Sequence, residues 1–252
     1  MFRRNRLTGR LTQLGGQAGC IRPKGQDGCA RARHIGDTYD MVASPDGRHL
    51  YRMSLLDPPE LQLFRRERRS KILRPSRAPG GCFSDEGVLG CAPMRGVTYV
   101  DSGALSPDGR HLYAANADMG LAVFACNGRA GTLRQLRGAA GCVLENPDAG
   151  CGSARGLDGA DFATVSPDGR NVYVSATFSL VAFARHRRTG ELLQLPRRAG
   201  CIAGGLSDDY GRCAHPIQQH WGTEELAVSP DGRHLYAMSG DLLTVYARRT
   251  RP

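Results

Sequence analysis

An all-β fold, a β-propeller built from four units of about sixty residues, is what the sequence predicts, on three observations. A turn signature recurs four times, the segments around it alternate as strands do, and paired cysteines keep the same register in every unit. The signature is Ser-Pro-Asp-Gly-Arg, starting at Ser44, Ser106, Ser166 and Ser229, with successive spacings of 62, 60 and 63 residues.

Each element follows in chain order. Asp161 to Val165 alternates and reads as a first strand. Pro167, Asp168 and Gly169 supply the turn, because proline presets φ and glycine accepts positive φ. Asn171–Ser175 and Leu180–Ala184 read as second and third strands, and the third reaches an aromatic in every unit: Phe64, Phe124, Phe183 and Tyr246. A hairpin then leads into a fourth strand, Glu191–Leu195 or Thr132–Leu136. The stretch from Gly-Cys to the next first strand reads as a long loop over one face. No window carries a convincing helical period, and 33 glycines and 14 prolines are spread throughout.

One domain over 1–252 is expected, with units at about 15–73, 74–136, 137–195, and 196–252 plus 1–14. Phe2–Leu14 matches the end of a third strand plus a fourth, whereas the last unit stops after its third strand, Leu242–Ala247. The expectation is a four-bladed ring closed by the N-terminal segment in the last blade, which would remove exposed sheet edges. A piece of a longer array, or two chains completing a larger ring, is the rival arrangement.

Eight of the nine cysteines form repeat-equivalent pairs: Cys20 and Cys29, Cys82 and Cys91, Cys142 and Cys151, Cys201 and Cys213. Zinc would need four converging ligands, but each pair stands alone in its unit, so disulfides are favoured over metal. Each closes a loop that contributes about 2.5–3 kcal/mol in the chain-entropy model. Disulfides point to an extracytoplasmic compartment, secreted or periplasmic. No apolar stretch follows Met1, so no signal peptide is expected in this sequence. Removal of a leader is favoured over cysteines kept reduced in a cytoplasm. Cys126 is the odd cysteine, where other units have Arg66, Arg185 and Arg248. It is either a partly buried free thiol or an intermolecular bridge. No run of 18 apolar residues predicts a membrane span.

The net charge is +10, carried almost wholly by arginine, with lysine only at Lys24 and Lys71. Arginines gather at the turn after the third strand: Arg3, Arg4 and Arg6; Arg65, Arg66, Arg68 and Arg69; Arg185, Arg187 and Arg188; Arg248, Arg249 and Arg251. Equivalent positions share one rim, giving either solvated turns or a cationic rim for an acidic polymer. Nucleic acid is the weakest partner class, since no nucleic-acid motif is present.

Residues just ahead of the first strands would sit at one mouth of a central channel. Asp40, Asp101, Asp161 and Glu224 stand there. They could hold calcium or magnesium through oxygen ligands, or satisfy backbone groups of their own loops. No cofactor is required by any motif. Nearby non-repeating residues add Asp37, Tyr99, Asp158 and Trp221 as ligand-binding candidates, with His34, His215 and His220 as acid–base candidates. The recurring His49, His111 and His234, and the aspartates of the turn signature, are scaffold. Gly-x-Ser-x-Gly, His-Glu-x-x-His and phosphate-binding glycine loops are absent.

Ser-Pro-Asp-Gly-Arg-x-x-Tyr, a hydrophobic strand, then Thr-Gly-x-Leu-x-Gln-Leu resembles the lactonase-like propellers. These are the 6-phosphogluconolactonase and carboxymuconate cyclase types and the related YVTN-repeat proteins, and the Gly-Cys loop is similar to a cysteine-containing bacterial subgroup. The resemblance covers the whole chain and rests on turn and strand residues, so it carries over no catalytic residue. It implies a seven-bladed relative, where this chain supplies four units. Two functions are expected from it and from the residues: a ligand- or partner-binding propeller working through its channel mouth and arginine-rich rim, or a hydrolase or cycloisomerase acting on a sugar-type lactone.

Overall fold

The computed structural model describes residues 1–32, 35–55, 61–118, 120–147, 150–204, 211–215 and 225–248. It is all-β, arranged as successive antiparallel sheets. In the third unit Phe162–Val165 pairs with Asn171–Ala176, which pairs with Ser179–Arg185. The same three strands are Asp40–Ala43, His49–Met53 and Leu61–Arg66 in the first unit, and Ser102–Leu105, His111–Asn116 and Gly120–Cys126 in the second. The last unit has Glu225–Val228, His234–Ser239 and Leu242–Ala247.

The turn signature recurs because it closes on itself. In each copy the serine hydroxyl donates to the aspartate two residues on, as in Ser166 to Asp168 at 2.5 Å. That carboxylate also accepts the arginine N–H, and the serine oxygen accepts the N–H that opens the second strand. These bonds, the serine's first, hold the Asp46 and Asp231 carboxyls below the usual carboxylate range.

The fourth strand differs from the expectation of one segment followed by a loop. It is split in two. Leu133–Gln135 covers the far half of Gly120–Cys126, and Cys142–Leu144 covers the near half. Leu192–Gln194 and Cys201–Ala203 repeat this on Ser179–Arg185. The third strand is seven residues long, so a three-residue segment leaves half its edge bare. The chain makes a 3-10 turn at Gly138–Gly141 and returns to cover the rest. Gly-Cys therefore opens a strand. After the second cysteine a short parallel strand, Gly152–Ser153, is added to Cys142–Leu144. All four expected disulfides form, and Cys142–Cys151 joins the start of one of these two strands to the residue preceding the other.

The core lies between consecutive units. One cluster packs Tyr51, Leu63 and Phe83, whose strand joins the first unit's sheet, against Leu112, Phe124 and Leu133 of the second unit. Phe83 and Phe124 meet edge to face at 4.8 Å. A second cluster joins the second and third units through Tyr113, Val123, Val172 and Phe183. A smaller one joins Leu180 to Leu226 and Leu235.

Each seam has a polar joint, which explains residues that recur without an obvious reason. The buried Tyr51 and Tyr113 hydroxyls donate to the carbonyls of Gly131 and Gly190, the hairpin glycines of the following unit, at 2.8 and 2.9 Å. The same glycines lie against the His49 and His111 rings. At Gly190, with φ +81°, a Cβ would fall 2.1 Å from His111 Cδ2. Gly190→Ala should therefore destabilise by about 2 kcal/mol through strain and overpacking, read as a lower urea midpoint with an unchanged slope.

Two rim arginines of the sequence reading are not on a rim. Arg185 is 5% exposed and bridges the second and third units. Its guanidinium donates to Tyr113 Oη at 2.8 Å and Gly169 O at 2.9 Å, and pairs with Asp108 at 3.3 Å. His111 Nδ1, 2.8 Å from Arg185 Nη2, must accept, since a guanidinium only donates. Burial, then the Arg185 charge, pushes the His111 pKa down to about 4. Arg248 repeats the clasp on Tyr173, Gly232 and Asn171 of the last seam. Cys126 holds this position in the first seam as a free thiol hydrogen-bonded with Tyr51, its pKa pushed up to about 12 by burial. Arg249 and Arg251 lie outside the described residues.

The N-terminal segment does not pair with the last unit among the described residues. Phe2–Arg4 instead pairs with Leu11–Gln13 as a separate two-stranded sheet. The segment brings its own third-strand end, and that stub takes the edge of Leu11–Gln13 that Leu242–Ala247 would need.

Candidate functional site

The first strands of the four units stand side by side in chain order, Asp40–Ala43, Ser102–Leu105, Phe162–Val165 and Glu225–Val228. Cross-strand bonds fix this. Gly103 N donates to Asp40 Oδ2 at 2.9 Å, and Ala163 N to Ser102 Oγ at 3.1 Å. Asp40, Asp101 and Asp161 thus sit at one end of a row of strands.

Their surroundings separate them. Asp40 spends both carboxylate oxygens on backbone, accepting from Met41 N at 2.7 Å as well as from Gly103 N. It is a structural bridge between two units. Asp101 accepts from Ala117 N at 2.7 Å. Its pKa is raised to about 6, first by burial and further by the Asp161 and Asp118 charges. Burial also raises Asp161. Tyr99 is shifted up by burial and by its hydrogen bond with Asp118, and it feels Asp101 and Asp161 as well. Asp101 thus lies within electrostatic reach of Asp161 and Asp118, and Tyr99 hydrogen-bonds Asp118.

Asp118 was not legible as a site residue. It lies in the hairpin between the second and third strands, where the second unit, with Ala117, Asp118 and Met119, is one residue longer than the third, with Thr177 and Phe178. That length difference was the available signal. Asn116, fully buried next to Ala117, has both amide atoms unpartnered among the described residues. Asp158 is exposed, and its backbone N–H donates to Glu145 at 2.6 Å. Asp37 is exposed, its carbonyl accepting from buried Arg52 at 2.6 Å. His215 is exposed beside Ala214, which bridges Ile202. His34, His220, Trp221 and Glu224 lie outside the described residues. Among the described residues no group of three or more His, Cys, Asp or Glu is placed to hold a metal ion.

The arginine-rich face forms a separate feature. A cleft of about 590 Å³ at the outer edge of the first unit is lined by seven arginines and one glutamate, Glu67. No described helix is long and apolar enough to cross a membrane.

No family model matches the chain, and no curated protein does. Solved structures do. A Bacteroides uniformis protein provisionally assigned as a 6-phosphogluconolactonase superposes with a TM-score of 0.61 at 17% identity, over 98% of this chain and 60% of its own. The periplasmic gluconolactonase PpgL of Pseudomonas aeruginosa gives 0.60 at 20% identity, over 98% and 59%. Chaetomium thermophilum Sqt1, solved bound to the N-terminus of ribosomal protein L10, gives 0.51 at 18% identity, over 86% and 47%. The chain spans about three fifths of the length of the first two. At these identities the likeness is one of fold alone.

Proposed function

We propose that this chain hydrolyses a sugar-type lactone at the end of its first strands, in an extracytoplasmic compartment. The observation that carries the proposal is the convergence of Asp101, Asp161, Asp118 and Tyr99, with a carboxyl poised near pH 6. In this scheme ionised Asp101 takes a proton from water as the water attacks the lactone carbonyl. The ring C–O bond then breaks, and the leaving oxygen receives that proton to give the hydroxy acid. Asp161 and Tyr99 hydrogen-bond the sugar hydroxyls. The likeness to the two lactonase structures supports a scaffold suited to this reaction, and the four disulfides support the compartment. The lactonase proposal takes precedence over a pure binding module because a binding site has no need of a carboxyl held near neutrality.

The finer architecture is part of the proposal. Four blades would form a ring once a fourth strand covers Leu242–Ala247, the third strand whose outer edge has no described partner.

Hydrolysis of a panel of sugar and muconate lactones by the folded protein tests the function. Turnover of at least one member is expected. No turnover of any member by correctly disulfide-bonded protein would sink it.

A further inference from the structure

The fourth strand carries a residue that seals the seam to the preceding loop. Gln135 accepts from Arg95 N at 3.0 Å and donates to Arg95 O at 2.8 Å. Gln194 does the same with Arg155, at 3.1 and 2.9 Å. The first unit has Pro75 at this position, opposite Phe64 as Gln135 is opposite Phe124. Proline has no side-chain amide, so the staple is missing there.

Two clefts meet at this place. The 590 Å³ arginine cleft and a second of about 780 Å³ share Pro75, Ser76, Arg77 and Ala78, so they form one elongated groove. Arg65, Arg68, Arg77 and Arg129 have no carboxylate partner among the described residues, and Arg31 lies on the far wall. Gln62 lines the second cleft. It is 6% exposed, and its Oε1 has no hydrogen-bond partner among the described residues. A buried acceptor left without a donor pays its desolvation with nothing in return, which a ligand hydroxyl would relieve.

We propose that this groove binds an acidic oligosaccharide. Carboxylate or sulphate groups would sit on the arginine forks, which match them in two-point geometry. A sugar hydroxyl would donate to Gln62 Oε1 once the side chain turns from its buried position toward the groove. That acceptor separates the ligand from a polyphosphate, which has no hydroxyl donors. Among the described residues the walls hold no Phe, Tyr or Trp to stack bases, and the one ring in the lining, His49, is 5% exposed and packed against Gly131, which separates the ligand from single-stranded nucleic acid. The groove shares no lining residue with the Asp101 group, and it does not depend on lactone turnover.

Calorimetry on the intact, disulfide-bonded protein at about 0.15 M salt tests this, with oligogalacturonate, a heparin-derived oligosaccharide, inorganic polyphosphate and oligo-dT as probes. At least one saccharide should bind at micromolar concentration. Arg77→Gln with Arg129→Gln should weaken it at least tenfold. Gln62→Leu removes the orphan acceptor without loss of volume, so the fold should persist. It should weaken the saccharide severalfold and leave polyphosphate unchanged. No saccharide binding at millimolar concentration, equal weakening of polyphosphate by Gln62→Leu, or tighter binding of polyphosphate or oligo-dT than of either saccharide would each overturn the proposal. Binding without turnover, or turnover without binding, would separate this site from the one at Asp101.

Discussion

Reduction of the four disulfides is expected to unfold the protein. Each closes a loop with a sequence separation of 9 or 12 residues. The chain-entropy model gives about 2.5–3 kcal/mol for each, and about 10 kcal/mol for all four. A typical domain has only about 5–15 kcal/mol in all. The bridges also hold short strands that could not stay paired alone: Cys142–Leu144 and Gly152–Ser153 share a register of two residue pairs. Circular dichroism in urea, with and without a reducing agent, reads the effect. A midpoint unmoved by full reduction would contradict it. Thiol labelling adds an internal check. Cys126, whose pKa burial pushes up to about 12, should react only in denaturant.

Arg185→Ala should be the most damaging single substitution, at about 3–5 kcal/mol. The guanidinium supplies donors to Tyr113 Oη, Gly169 O and His111 Nδ1 and pairs with Asp108. Its loss strands those acceptors inside a seam. Arg185→Lys should recover little, because one ammonium cannot span acceptors set around a planar fork. The first seam offers a natural comparison, since Cys126 occupies the same position and the neighbouring His49 has no such guanidinium partner among the described residues. Urea midpoints for Arg185→Ala, Arg185→Lys and Cys126→Ala give the order. A loss from Arg185→Ala below about 1 kcal/mol, the value of an ordinary surface ion pair, would contradict the clasp.

The contrast between Arg185 and Asp161 shows what was legible in the sequence. Features repeated in every unit announced themselves, so the turn signature, the strand aromatics and the cysteine pairs predicted the sheets and the bridges. Arg185 recurs too, but an arginine beside a hairpin is ordinarily solvated. Only the seam geometry reveals that it points inward onto the preceding unit. The divided fourth strand was hidden because segments of three residues carry no periodicity. Asp101 and Asp161 were visible as equivalent carboxylates just ahead of two first strands, and Tyr99 as a non-repeating residue beside them. Asp40 looked equivalent to them, yet its second oxygen bridges to Gly103, a contact between residues 63 apart that no local pattern encodes. Asp118 was missed because it sits in a hairpin that reads as plain turn, and Asn116 because it ends the strand leading into it. Pro75 was passed over for the opposite reason: its meaning is the absence of a glutamine that acts across a seam.

The pH–rate profile of lactone hydrolysis, measured on the native chain and on Asp101→Asn, tests the central claim most directly. Asp101 works as a base only when ionised, and its folded pKa is about 6. Turnover should therefore rise as pH increases through about 6 and then level off. Asp101→Asn should lose roughly a hundredfold or more, typical of removing a general base, with an unchanged urea midpoint and no rise near pH 6. Full activity in Asp101→Asn, or a native profile flat from pH 4 to 8, would place the chemistry elsewhere on the protein.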